Sequence, residues 1–137
     1  KEIVFCGYGE PTLRLDVVKE VAARLKSPGN VKIRLVTNGH GDLINSRKIA
    51  KELAGLVDKV SVSLNADTKA LYNKYCKPEF GPDTYDGVIS FIKECVANKI
   101  EVDVTFLDLP EVDLKKCRAI TKELGVVFRP RSLGVIG

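Results

Sequence analysis

The sequence has no methionine, no tryptophan and a single histidine, and its four cysteines lie far apart. Cys6, Cys76, Cys95 and Cys117 form no CxxC pair, which excludes the usual signature of a zinc or redox site. No apolar run approaches the roughly 20 residues of a membrane-spanning helix, and no secretory signal pattern opens the chain. Cys6, Cys95 and Cys117 fall at apolar positions, so we expect buried free thiols in a cytoplasmic protein.

The composition is that of a folded domain. Hydrophobic residues make up 45% of the 137 residues and charged residues 29%, which argues against disorder. The net charge of +4 is spread over segments in which acids alternate with bases, so the sequence does not predict a nucleic-acid partner. We expect one domain over 1–137. Because no methionine opens it and no helix follows its last strand, we also expect a fragment of a longer protein.

Apolar residues alternate between the periodicity of strands and that of helices. The pattern predicts five strands, at 2–6, 31–37, 59–64, 100–106 and 126–129. Each gap carries helical spacing, and the first predicted helix spans 15–26. The order predicts an α/β fold in which right-handed βαβ units build a parallel sheet of five strands with alternating helices.

Helix starts are predicted from capping residues. Ser46, Asp67 and Asp113 are placed to cap three helices, and Pro82 with Asp83 is placed to start another. Gly125 is placed to end the last helix.

The segment after the first strand is the strongest candidate for a binding site. An apolar run ends there in Gly7, Gly9, Glu10 and Pro11, and ligands of parallel α/β folds bind at the carboxyl ends of strands. A dinucleotide fingerprint is rejected because the third glycine is absent and Glu10 would repel a pyrophosphate. A carboxylate beside two glycines suits an ammonium group, because glycine lets backbone carbonyls approach it.

Three segments together resemble the radical S-adenosylmethionine (radical SAM) enzymes. The run Gly7-Tyr8-Gly9-Glu10-Pro11 resembles their glycine-glutamate-proline motif, Val36-Thr37-Asn38-Gly39 their third-strand segment, and Ser61-Val62-Ser63-Leu64-Asn65 their fourth strand. The segment around Asp108-Leu109-Pro110 is similar to a TatD-associated subgroup. The resemblance implies a partial TIM-type (βα)6 barrel that here lacks its first strand.

The resemblance also implies cofactors. Members of this family bind a 4Fe–4S cluster through a CxxxCxxC segment, and the cluster anchors SAM and reduces it to release a 5′-deoxyadenosyl radical. This sequence contains no CxxxCxxC. We therefore expect SAM and the cluster in the parent protein, no tightly held cofactor and no metal ligand in residues 1–137, and no activity from them alone.

Site residues follow from the same motifs. The resemblance implies that the ammonium of SAM meets the segment around Glu10 and that Thr37 and Asn38 line the cofactor beside it. It also implies that Ser63 and Asn65 hydrogen-bond its ribose or carboxylate and that Phe106 packs on its adenine. Arg129 and Arg131 are implied to reach the carboxylate or an anionic substrate. The predicted cofactor-binding residues are Gly7, Tyr8, Gly9, Glu10, Pro11, Thr37, Asn38, Ser63, Asn65, Phe106 and Arg129. Catalytic residues and the substrate remain unknown.

Two other functions stay open from the sequence. One is a non-catalytic α/β module that binds a nucleotide or a protein partner. The other is part of a (βα)8 enzyme in which Glu10 acts as a base beside Asp108. In each case a five-stranded parallel sheet has open edges, so we expect self-association.

Overall fold

Five strands and six helices alternate in the part of the chain that the computed structural model describes, residues 1–7, 9–29 and 31–132. A 3₁₀ turn, Pro11–Arg14, precedes the first helix. The elements are β1 (Glu2–Phe5), α1 (Leu15–Lys26), β2 (Lys32–Thr37), α2 (Gly41–Asn45), α3 (Ala50–Leu53), β3 (Lys59–Asn65), α4 (Lys69–Cys76), α5 (Thr84–Ala97), β4 (Glu101–Leu107), α6 (Leu114–Leu124) and β5 (Val127–Arg131).

The predicted α/β class and five-stranded parallel sheet are confirmed. The strands lie side by side in chain order, β1-β2-β3-β4-β5, and every neighbouring pair is parallel. Right-handed crossovers between strands in this order all pass over the same face, so the helices cover one side of the sheet. An open sheet of this kind is consistent with part of a barrel.

The two faces of the sheet differ in chemistry. On β3, Val60, Val62 and Leu64 are fully buried in the core beneath the helices, together with Val102, Val104 and Phe106 of β4. The alternate residues, among them Ser61 and Asp103, point to the other face because successive side chains of a strand point in opposite directions. That second face is polar, bears charged residues and holds a cavity lined by residues of all five strands, and we call it the concave face.

Two predicted caps are wrong. Ser46 ends α2 in a left-handed conformation, φ +52°, and the Asp42 carboxylate instead accepts a hydrogen bond from the Ile49 amide at 2.9 Å. Asp67 lies one residue too early for α4, which Thr68 caps by accepting from the Leu71 amide at 3.2 Å.

The last helix begins and ends as predicted. The Asp113 carboxylate accepts from the amides of Lys115 and Lys116, and Gly125 ends α6 at φ +74°. The following strand runs two residues further than predicted, through Pro130. Proline is tolerated there because β5 is an edge strand among the described residues.

The prediction of buried thiols holds for two cysteines and is wrong for a third. Cys95 and Cys117 are buried, and burial raises the pKa of each thiol to about 12. Cys6 is exposed, because β1 ends at Phe5 and the chain leaves the sheet there. All four cysteines are free thiols. Across the described residues, no helix combines the length and apolarity needed to cross a membrane.

A surface ion cluster gives a pH-dependent contribution to stability. Arg47 donates two hydrogen bonds to the Glu52 carboxylate, at 2.8 and 3.0 Å, and Lys19 donates a third at 2.8 Å, which lowers the pKa of Glu52 to about 2. Because the folded-state pKa is below the unfolded value of 4.5, the stabilisation is present above pH 4.5 and is lost as the pH falls towards 2.

We expect Glu52→Gln to lower the free energy of unfolding at pH 7 by less than about 1 kcal/mol, since exposed ion pairs are screened by water. The variant should also lose less stability than the parent between pH 5 and pH 2.5. Thermal unfolding followed by circular dichroism across that range measures both effects. Glu20→Gln, which removes an exposed partner of Arg24, is the control, and an equal acid response in both variants would contradict the assignment.

Candidate functional site

A cavity of about 290 Å³ opens at the carboxyl ends of the first three strands. It brings together seven of the predicted cofactor-binding residues, Arg131, which was expected to reach a carboxylate or an anionic substrate, and two residues that were not predicted. Its lining residues are Cys6, Gly7, Gly9, Glu10, Pro11, Val36, Thr37, Asn38, Ser63 and Arg131.

The Glu10 carboxylate joins the loop after β1 to the loop after β2. Its Oε2 accepts from the Thr12 amide at 3.0 Å, the Thr12 hydroxyl at 2.5 Å and the Thr37 hydroxyl at 2.7 Å. Its Oε1 accepts from the Asn38 amide at 2.7 Å. Four protein donors therefore converge on this one side chain, which acts first as a clamp between two loops.

The local sequence explains why Glu10 takes this position. Glu10 is the cap of the turn Pro11–Arg14, and Pro11 stands at its first position, where the missing amide proton costs no hydrogen bond. Thr12, the nearest donor, is fully buried. The clamp is consequently built into the backbone path that leads from the strand into α1.

The loop after β2 is held by its own side chains. The Thr37 hydroxyl accepts from the Gly39 amide at 3.0 Å, and the Asn38 side-chain oxygen accepts from the His40 amide at 2.9 Å. Asn45 of α2 donates to the carbonyl oxygens of Thr12 and Gly41, at 3.1 and 2.8 Å. These bonds fix the wall of the cavity before any ligand arrives.

Behind that loop lies a buried histidine. His40 Nε2 is 2.7 Å from the Tyr72 hydroxyl, and the ring packs edge-on against Phe80. Burial lowers the pKa of His40, although Glu10 and Glu79 oppose this effect. Burial also raises the pKa of Tyr72. His40 is thus a neutral, packed side chain that supports the loop from the core side.

The glycines of the first loop face open space. A Cβ placed on Gly7 or Gly9 would meet no atom of the described residues within 4 Å, and Gly7 adopts φ +151°, a conformation that side chains disfavour. Both glycines line the small cavity. The backbone there is accessible to a ligand at van der Waals distance.

Three predicted residues lie away from the small cavity. The Asn65 side chain contacts Cys76 Sγ at 3.6 Å, because the β3–β4 pairing is irregular between Ser63 and Asn65 and Asn65 takes φ +68°. Phe106 is fully buried and stacks on Phe128, with 5.8 Å between ring centroids. Arg129 pairs with Asp103 on the concave face. Tyr8 lies outside the described residues.

Sequence reasoning missed Cys6 and Val36 of the small cavity. It also missed Glu2, Arg34, Lys59 and Asp103, which line a second cavity on the concave face. The signal was present: Arg34, Lys59 and Asp103 occupy alternate positions in runs that otherwise predict buried strands. A fully buried parallel strand has no reason to carry charge at such positions.

Comparison with known proteins gives one family. The model of the radical SAM superfamily matches residues 1–116. No curated protein matches the chain.

Proposed function

The chain belongs to the radical SAM superfamily, and we propose that residues 1–137 form one partial-barrel domain that binds S-adenosylmethionine at the carboxyl ends of its strands. The observation that carries this proposal is the small cavity, in which residues from all three matched motifs meet. The TatD-associated subgroup stays a prediction.

The chemistry of the cavity fits the amino-acid part of SAM. An ammonium group needs acceptors, and the open space beside Gly7 and Gly9 lets it approach backbone carbonyl oxygens. Thr37, Asn38 and Ser63 supply polar groups, and Arg131 supplies a positive charge suited to a carboxylate. Glu10 then acts as a positioning residue, because its oxygens already accept four hydrogen bonds.

The described residues do not fit an iron–sulfur cluster. They contain no group of three or more histidine, cysteine or acidic side chains that could hold a metal. Thiolates are the ligands of such clusters, and two of the four cysteines are buried with strongly raised pKa values. We therefore propose that residues 1–137 do not cleave SAM alone, and that activity needs a CxxxCxxC segment in addition.

In the family, SAM supplies radical chemistry when the cluster reduces it. This chain's own residues bind and orient the cofactor through the loops that Glu10 joins. We also propose an enzymatic activity for the complete protein and self-association through the edge strands β1 and β5.

A non-catalytic binding module is the second candidate, and the lack of cluster ligands among the described residues favours it. Titration with SAM, adenosine and ATP separates the two functions. Saturable binding of SAM in preference to adenosine and ATP supports a SAM-binding domain, whereas tighter binding of ATP supports a non-catalytic nucleotide-binding module.

Gly9→Ala tests where SAM binds. The new methyl group would enter the cavity without touching atoms of the residues that the structure describes. We therefore expect unchanged thermal stability and about tenfold weaker binding of SAM, the usual effect of one misplaced methyl in a pocket. Ligand-observed NMR on the full chain measures both weak and tight binding. Gly29→Ala, in the turn after α1, is the control for SAM affinity alone, because Gly29 has φ +84° and alanine there costs about 1 kcal/mol of stability. Equal affinity of SAM for the parent and Gly9→Ala would contradict the placement.

A further inference from the structure

The net charge of +4 is concentrated near the end of the chain, contrary to the spread expected from the alternation of acids and bases. Residues 113–132 contain six basic and two acidic residues, whereas residues 1–112 contain sixteen of each. The whole excess therefore lies in α6, β5 and the short segments beside them. Its basic members are Lys115, Lys116, Arg118, Lys122, Arg129 and Arg131.

The four basic side chains of α6 are exposed and lack acidic partners. In the described part of the chain, no carboxylate lies within 4.0 Å of the side-chain nitrogens of Lys115, Lys116, Arg118 or Lys122. By contrast, nine of the sixteen basic residues in 1–112 pair with a carboxylate. Residues 133–137 carry no charged side chain, so they cannot supply the missing negative charge.

Three of these residues form a continuous stripe. Lys115, Arg118 and Lys122 are three and four residues apart, so their side chains are neighbours on one face of the helix. That face is distinct from the one that buries Cys117 and Thr121. Arg118 lies over the Phe128 ring of β5, with 4.5 Å between its guanidinium carbon and the ring centroid, which holds this cation in place. We call Lys115, Arg118 and Lys122 the basic stripe.

The basic stripe weakens the helix that carries it. Lys115 lies in the first turn, where the helix macrodipole disfavours a cation and no acidic residue is present beyond the capping Asp113. Arg118 has a like charge one turn away in each direction, and like charges at this spacing repel one another. Only Lys122, in the last turn, occupies a position where a cation stabilises the helix. Helix stability therefore does not explain the stripe, and such a local conflict is typical of a functional surface.

The surroundings of the stripe favour a protein partner of limited extent. The segment before α6 carries Asp108, Glu111 and Asp113, and Glu123 lies in the last turn. A nucleic-acid backbone that ran along the stripe would meet carboxylates at both ends and be repelled there. Among the described residues, α6 exposes no large apolar side chain that could enter a membrane or stack on bases. The acidic face of a helix, with carboxylates one turn apart, matches the stripe in length and in charge.

We propose that the basic stripe docks an acidic helix of another protein, whose carboxylates lie one turn apart on one face. Lys115 and Lys122 pair with the outer carboxylates, and Arg118, held over Phe128, donates to the one between them. Because pairing relieves the repulsion within α6, the helix is more stable in the complex than alone. The stripe shares no residue with the small cavity, so the interaction does not depend on the binding of SAM.

Titration of the full chain into a labelled, alanine-based helical peptide with three glutamates on one face tests the stripe. Fluorescence anisotropy at about 0.05 M salt, where charges are weakly screened, should show saturable binding. The double variant Lys115→Gln, Lys122→Gln should bind at least about fivefold more weakly. The matched control is Lys51→Gln, Lys93→Gln, which removes the same charge from exposed positions on α3 and α5 and should bind as the parent does.

Thermal unfolding separates a docking role from a structural one. Because both lysines repel Arg118, the variant Lys115→Gln, Lys122→Gln should have a Tm about 2 °C above that of the parent. A lower Tm would mean that the two lysines stabilise α6, which overturns the proposal. No peptide binding by the parent, or equal weakening by both double variants, overturns it as well. Tighter binding of duplex DNA than of the peptide, weakened by the same variant, would assign the stripe to a nucleic acid and overturn the assignment to an acidic helix.

Discussion

Glu10→Gln should lower the free energy of unfolding by about 3 kcal/mol and abolish binding in the small cavity. The carboxylate accepts from backbone amides on both sides, Thr12 at Oε2 and Asn38 at Oε1. Whichever way a glutamine amide is turned, its NH₂ group faces one of these N–H donors. A buried donor is then left unpaired and the charge-assisted hydrogen bonds are lost, which together cost this amount.

Thermal unfolding measures the effect, which corresponds to a fall in Tm of about 10 °C for a domain of this size. Glu20→Gln, at an exposed position on α1, is the matched control and should change Tm little. SAM titration at a temperature where both variants remain folded separates loss of the cavity from loss of the fold. A Glu10→Gln variant within 1 kcal/mol of the parent would show that the clamp does not stabilise the loops.

Gly39→Ala should cost about 3 kcal/mol for a different reason. Gly39 has φ +81°, and a Cβ there would lie 2.7 Å from Val88 Cγ1 and 3.1 Å from Val62 Cγ1. The left-handed conformation costs a side chain roughly 1–2 kcal/mol, and crowding in a packed core adds about the same. The loop that carries Asn38 must move to relieve the crowding, so ligand binding should weaken as well.

Gly125→Ala isolates the backbone contribution. Gly125 has φ +74°, but a Cβ there would meet no atom within 4 Å in the described part of the chain, so only the conformational cost of about 1 kcal/mol is expected. The double variant Gly39→Ala, Val88→Ala tests the crowding directly. Removal of the Val88 methyl groups should recover at least about 1 kcal/mol relative to the sum of the single variants. Strict additivity would contradict a clash with Val88.

Apolar periodicity predicted the sheet well, because each strand that packs against the helices needs an apolar side chain at every second position. Val60, Val62 and Leu64 had to be buried wherever the helices lay, and all three are. Asp113 and Gly125 were also predictable, since capping chemistry depends on a few neighbouring residues. The five-residue helix α2 was not predictable, because a helix of little more than one turn is too short to show an apolar periodicity.

The candidate site was predictable in part. Motifs placed Gly9, Glu10 and Thr37 in one loop cluster, and they meet as expected. The partners of Glu10 could not be read from the sequence, because its four hydrogen bonds depend on how the two loops approach one another. The contacts of Asp103 with Lys59 and Arg129 could not be predicted either, since they follow from the register of β3, β4 and β5.

The strand order has a consequence for local stability. Among the described residues β1 is an edge strand held by β2 alone, whereas β3 is held on both sides. Edge elements open at lower free energy than central ones, so amide exchange should be faster in β1 than in β3. The small cavity takes residues that follow β1 and others within β3. A ligand bound there would therefore contribute part of its binding free energy to the stability of β1. Local opening of β1 should be rarest when the cavity is filled.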